Sequence, residues 1–257
     1  SLYRHARYVQ HRQLSIDFDR QESIQHLELA SRERLLPAVR KLKVHGTVNP
    51  PSALDDMIQK MTGLRHVEWN AATITKPILQ TLQSCPDTTL DVFIANHTKQ
   101  LLSDLSGSTA LVSVDIDITY ATAEDCTQVT QPLRRVLLSC PNLRRLSLNL
   151  TRSVRGCVPI EPPAEYVGIG FAADERPAPL EELSIISYPW GFKARYPNSH
   201  GVNCVGYPGE GLEMDYWVNN FDWSRLTHLE DAEVTLAHKA VRELTALKHI
   251  RFTWSQG

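Results

Sequence analysis

The stretch Leu137-Leu138-Ser139-Cys140-Pro141-Asn142-Leu143-Arg144-Arg145-Leu146-Ser147-Leu148-Asn149-Leu150 decides the fold. Proline has no backbone N–H and biases the residue before it away from helical geometry, so a helix is expected to end near Cys140. Leu143, Leu146 and Leu148 then follow as L-x-x-L-x-L. Strand side chains alternate, which sends Leu146 and Leu148 to one face and Arg145, Ser147 and Asn149 to the other.

The same arrangement stands upstream, where Leu82-Gln83-Ser84-Cys85-Pro86 precedes Leu90-Asp91-Val92-Phe93-Ile94. Two copies, each followed by an alternating strand, point to a repeating unit. The template also fits Val39-x-x-Leu42-x-Val44, Leu64-x-x-Val67-x-Trp69, Leu111-x-x-Val114-x-Ile116 and Leu180-x-x-Leu183-x-Ile185. Towards the end it fits Leu229-x-x-Ala232-x-Val234 and Leu247-x-x-Ile250-x-Phe252. Aligned on the first apolar position, units begin at 39, 64, 87, 111, 143 and 180, in steps of 25, 23, 24, 32 and 37. Three near-equal steps lie within the roughly 20–29 residues of leucine-rich repeats, and the longer steps require insertions.

Helices are expected between the strands. One runs from Ser52, as N-cap, to Met61 and stops at Gly63. Others span Thr75 to Ser84, with Pro77 in the first turn, then His97 to Leu105, Ala123 to Ser139 and Ala237 to Leu244. Ahead of these lies a strand around Leu14 and Ile16. Residues 21–36 read as helix, yet Ile24, Leu27 and Leu29 also fit the strand template.

The expected fold class is therefore α/β: an irregular leucine-rich-repeat solenoid with a parallel sheet on the concave face and helices on the convex face. It forms one domain over 1–257, with loop insertions at about 151–178 and 189–213 that are rich in proline and glycine. One unit alone cannot bury enough apolar surface to offset its ordering entropy, so the units must stack.

Composition narrows the function. Apolar residues at 42% and charged residues at 22% are those of a folded globular chain, and a net charge of -2 gives no basic face for nucleic acid. No apolar run approaches the roughly 20 residues that span a bilayer. Five cysteines without compact spacing argue against a disulfide scaffold and for a reducing compartment, cytoplasmic or nuclear. Two N-x-T sequons, at Asn96 and Asn149, are the counter-indication that favours secretion. The chain opens Ser1-Leu2-Tyr3 with neither a start methionine nor a signal-peptide pattern, and reads as a piece of a longer protein.

Outward strand positions are the candidate partner-binding surface. The acids there are Glu68, Asp91, Asp115, Asp117, Glu182, Asp231 and Glu233, and the bases are Lys41, Lys43, Arg145 and Arg251. The expected face is acidic in the middle with basic flanks. It reads either as a solvated sheet face or as a groove for a basic segment. Asp115 and Asp117 lack a third ligand or nearby histidine, so they read as a surface pair. His200 and Cys204, in a glycine-rich loop, and Cys157 in the other insertion carry no third orienting group and no C-x-x-C spacing. Trp190, Phe192, Tyr196 and Tyr207, with Tyr216, Trp217 and Trp223, either anchor a partner or plug loops onto a flank; Trp190 and Tyr207 join the partner-binding candidates. No nucleotide, zinc-protease or nucleophile-elbow motif occurs, so no catalytic, cofactor or metal site is expected.

The x-L-x-S-C-P-x-L-x-x-L-x-L units resemble the leucine-rich repeats of F-box proteins. Leu2-Tyr3-Arg4-His5 with Leu14-Ser15-Ile16 is similar to the segment that follows the F-box in fungal members, and Tyr216-Trp217-Val218-Asn219-Asn220-Phe221-Asp222-Trp223-Ser224-Arg225-Leu226 also resembles that family. Two positions depart from the repeat consensus, where Ala72 and Thr151 replace the asparagine or cysteine after the strand. The resemblance implies a non-enzymatic substrate-recognition module of an SCF-type ubiquitin ligase. It would bind a protein substrate, need no cofactor, and reach the ligase adaptor through an F-box that this sequence lacks. A ligase-independent interaction scaffold and a hydrolase sited near His200 and Cys204 are the alternatives from other classes.

Overall fold

The computed structural model describes residues 12–48, 51–85, 87–153, 168–188, 213–231 and 234–252. Nine parallel strands lie in one sheet in the order of the sequence. They are β1 (Gln13–Asp17), β2 (Lys41–Gly46), β3 (His66–Ala71), β4 (Thr89–Ala95), β5 (Leu111–Tyr120), β6 (Arg145–Arg152), β7 (Glu182–Ser187), β8 (His228–Asp231) and β9 (His249–Phe252). Parallel neighbours need crossovers. Helices in the crossovers are α1 (Gln21–Arg32), α2 (Pro51–Lys60), α3 (Lys76–Ser84), α4 (Leu101–Asp104), α5 (Ala123–Ser139), α6 (Glu213–Asn220) and α7 (Val234–Ala240). The chain divides into two compact units, Ser1–Val114 and Asp115–Gly257, with the boundary inside β5.

In the first unit Leu42 pairs with Val67 and Val67 with Leu90, so equivalent template positions stand side by side. Leu42, Val44, Val67, Trp69, Leu90 and Val92 are buried, as are Leu27 of α1, Leu54 and Ile58 of α2 and Ile78, Leu79 and Leu82 of α3. In the second unit Leu146, Leu183, Leu229 and Ile250 form the equivalent row. Its core takes Leu146, Leu148, Leu183 and Ile185 from the sheet and Cys126, Val129, Leu133, Val136 and Leu137 from α5.

One backbone contact recurs at the second template position. The Arg12 carbonyl accepts from the N–H groups of Arg40 and Lys41, the Arg40 carbonyl from Arg65 and His66, and the Arg65 carbonyl from Thr89. In the second unit the carbonyls of Arg144, Glu181 and Thr227 accept in the same way from Glu181 and Glu182, from Thr227 and His228, and from Lys248 and His249. The period in sequence is thus a period in hydrogen bonding. The two L-x-S-C-P stops are also alike, since Cys85 (φ -102, ψ 95) and Cys140 (φ -100, ψ 96) cap α3 and α5 in nearly identical extended conformations. Thr75 and Thr122 cap the starts of those helices, each accepting a backbone N–H three residues on.

Several elements differ from the sequence reading. Helix α2 begins at Pro51, so Ser52 lies inside it; proline suits the first helical position because its φ is preset and no N–H is left over. Residues 21–32 are helix, and Leu29 points out at 51% exposure. The expected helix from His97 to Leu105 is a 3-10 turn, Asn96–Thr98, followed by the single turn α4. Helix α5 continues through Pro132, which has no N–H to donate.

The largest correction concerns β8. Leu229 pairs with Leu183 and Ile250, so it holds the second apolar position of the template rather than the first. Leu226, 1% exposed after the turn Trp223–Arg225, holds the first. The outward residues of β8 are therefore His228 and Glu230. Asp231 pairs with Ile185 and Phe252 in the register, and Val234 belongs to α7 instead of a strand. The segment expected as a loop to about 178 has no helix or strand over 168–178, yet Ile169 and Phe171 are buried core residues.

Candidate functional site

Alternation of burial exposes one side of the strands from β2 to β7. In the first unit Lys41, Lys43 and His45 of β2, His66, Glu68 and Asn70 of β3, and Thr89, Asp91 and Phe93 of β4 are exposed or half-buried, while the residues between them are buried. In the second unit Asp115 and Asp117 of β5 and Glu182 of β7 are exposed, with Arg145, Ser147 and Asn149 of β6 half-buried. Parallel sheets are ordinarily covered on both faces and read as continuous apolar runs. The polar alternation here marks a face left open to solvent in each unit.

The first unit's face is internally paired. Glu68 bridges two lysines on the neighbouring strand, Lys41 through Oε1 and Lys43 through Oε2 at 2.5 Å. Burial alone would raise the Glu68 carboxyl, but hydrogen bonds and charge from Lys41 and Lys43 outweigh it and hold the group at about 2. His66 Nε2 lies 3.4 Å from Glu68 Oε1 and 3.7 Å from Asp91 Oδ2. The Thr89 hydroxyl donates to the Arg65 carbonyl at 3.1 Å and so receives its 3.0 Å contact from His66 Nδ1–H. Glu68, one of the acids expected on this face, is therefore a salt-bridged carboxylate.

The second unit's face has different wiring. Thr151 Oγ1 donates to Asn149 Oδ1 at 2.9 Å, and Asn149 Nδ2 donates to Asp117 Oδ1 at 2.9 Å. Asp115 and Asp117 lie two residues apart on the same side of β5. Across β6 to β9 the first outward row runs Arg145, Glu182, His228 and His249 in register. Neither His228 nor Glu230 is among the outward residues expected from the sequence, because the expected start of the β8 template lies three residues late. Glu233, Trp190, Tyr207, His200, Cys204 and Cys157 lie outside the described residues.

Away from the face, a fully buried carboxylate organises the second unit. Glu213, at the start of α6, is 0% exposed. Its Oε1 accepts from Ile169 N–H at 2.8 Å, the Tyr188 hydroxyl at 2.6 Å and Trp217 Nε1 at 2.9 Å, and its Oε2 accepts from Gly170 N–H at 3.1 Å. Burial raises this group to about 7, against the pull of those donors and of the Arg134 charge. Tyr188 and Trp217 belong to a cluster with Phe171, Phe221 and Trp223, whose rings meet in edge-on, stacked and tilted pairs. Trp217 and Trp223 are thus core plugs. Nearby, Arg134 and Glu175 form a double ion pair at 2.7–3.0 Å.

Cys126 is buried and its thiol is pushed up to about 12, chiefly by desolvation, so it is no nucleophile. A cleft of about 390 Å³ in the first unit is lined by Arg40, Gly63, Arg65, Cys85, Asp87 and Thr88 among others, with no histidine beside the Cys85 thiol. No group of three or more His, Cys, Asp or Glu among the described residues is placed to hold a metal ion, and no described helix is long and apolar enough to cross a membrane. No protein-family model matches the chain, and no curated protein matches it significantly.

Proposed function

We propose that this chain is a protein-binding module that docks its partner on the open polar face of the sheet. We further propose that the sheet is a leucine-rich-repeat solenoid and that the module selects substrates for an SCF-type ubiquitin ligase in the cytoplasm or nucleus. One observation carries the docking reading: along β2, β3, β4 and β6 and most of β5 and β7, buried apolar residues alternate with accessible and mostly polar ones, Phe93 and Ile186 being the apolar exceptions, although parallel sheets are ordinarily apolar on both faces. An open row of fixed charges and amides offers specificity without a concave pocket. The repeated carbonyl contact at the second template position supports the solenoid. The link to a ligase rests on the resemblance of the L-x-S-C-P units to F-box repeats.

Affinity purification of the natural full-length protein tests the ligase link, with adaptor and cullin expected among the captured proteins. Their absence, with other partners retained, would leave an interaction scaffold. The docking face is tested by Asp115→Lys with Asp117→Lys, which is expected to weaken capture of the same partners at least ten-fold and to flatten its salt dependence. Unchanged capture would remove the face from the proposal.

A further inference from the structure

We propose that His228 and His249 form a binding site for a divalent transition cation, zinc(II) foremost. The two residues are in direct register on the adjacent parallel strands β8 and β9, and both are exposed. Their rings lie 5.7 Å apart between centroids, tilted by 37°. A tetrahedral zinc ion with bonds of about 2.0–2.1 Å to nitrogen separates two ligand nitrogens by about 3.4 Å. Small rotations of two solvent-exposed side chains close the pair onto one ion, and neither strand has to move.

The tautomer of His228 strengthens the case. Thr227 Oγ1 donates its only hydrogen to the Glu181 carbonyl at 2.9 Å. Its second contact, 2.9 Å to His228 Nδ1, is therefore donated by the imidazole. Neutral His228 carries its proton on Nδ1, and the lone pair on Nε2 is left for a ligand. Metal-binding imidazoles almost always have the other ring N–H held in this manner. Thr227 is a positioning residue, placed by the same repeated contact that starts each strand.

The surrounding charge suits a cation. Glu182 stands in register on the other side of His228, and Arg251 in the next row is paired with Glu230 at 3.8 Å. Two imidazoles supply two ligands and water completes the coordination, which makes an open, exchangeable site rather than a structural one. The proposal is independent of the docking reading.

Calorimetric titration of zinc(II) and nickel(II) into the whole 257-residue chain tests it. The expected result is one site whose affinity falls at least ten-fold in His228→Ala and in His249→Gln, and a few-fold in Thr227→Val, with the unfolding temperatures of the two histidine variants unchanged without metal. Imidazole ¹⁵N spectra of the wild type give a second readout that needs no variant. Zinc is expected to shift Nε2 of His228 while its Nδ1 stays protonated. Affinity unchanged in both histidine variants, or no shift at His228, would overturn the site.

Discussion

The Tyr188 hydroxyl donates to Glu213 Oε1 at 2.6 Å, where Glu213 has no exposed surface. The contact ties the residue just after β7 to the first turn of α6, and the same carboxylate gathers the backbone of Ile169 and Gly170. Glu213→Gln replaces one acceptor oxygen with an amide that faces donors. At pH 4.5 we expect it to cost about 2–4 kcal/mol, read as a lower urea midpoint with an unchanged slope.

The same residue sets a pH dependence. A glutamate ordinarily titrates near 4.5, and burial raises Glu213 to about 7, so the folded state binds this proton more tightly. Its contribution to stability is fully present below 4.5, declines as pH rises through 7, and is flat beyond. The wild type is therefore expected to lose up to about 3 kcal/mol more than Glu213→Gln between pH 4.5 and 8. Parallel stability curves for the two proteins over that range would contradict the assignment.

Glu68 has the opposite sign. Held at about 2 by Lys41 and Lys43, it stabilises the fold above 4.5 and loses that contribution as pH falls through 2. The cluster is partly exposed, with 26% of the Glu68 side chain accessible, so screening keeps its worth to about 1 kcal/mol. Glu68→Gln is expected to destabilise by that amount at pH 7 in low salt, less in 0.5 M salt, and least at pH 2. Equilibrium unfolding at each condition reads the difference.

What was legible in the sequence follows from locality. Cys85-Pro86 and Cys140-Pro141 stop helices by covalent constraint, and both stops fall at the expected residues. Alternation from Leu42 to Val44 or Leu146 to Leu148 is likewise a property of a few consecutive residues. The start of β8 was missed because Leu229 satisfies the template in either of two positions, and only pairing with Leu183 and Ile250 chooses between them. Glu213 gave no signal, since its donors at 169, 170, 188 and 217 share no spacing. The Glu68 cluster needed the lateral register of β2 and β3, which places Lys43 opposite Glu68.

Gly63 makes room for a side chain rather than for a turn. A Cβ there would sit 1.4 Å from Arg40 Nη1 and 2.8 Å from the Pro37 carbonyl oxygen. Arg40 Nη1 donates to that same oxygen at 2.9 Å. Gly63→Ala is expected to displace the guanidinium and to cost about 1–2 kcal/mol. In the Arg40→Ala background the added cost should fall but not vanish, because the carbonyl oxygen remains in the way. Full additivity in that double-mutant cycle would show that Arg40 does not occupy the space.

Leu29 and Leu226 separate pattern from burial. Leu29 completes an L-x-x-L-x-L match but lies on α1 at 51% exposure, whereas Leu226 is 1% exposed at the first template position before β8. Leu226→Ala is expected to cost about 2–5 kcal/mol, through lost transfer energy and the cavity left behind. Leu29→Ala should lie within about 0.5 kcal/mol of the wild type, since an exposed helical site gains from alanine's propensity what it loses in contact. Chemical denaturation of the two variants reads the contrast directly. Equal costs would mean that residues 21–32 bury the strand template after all, and that the unit before β2 is a repeat rather than a helix.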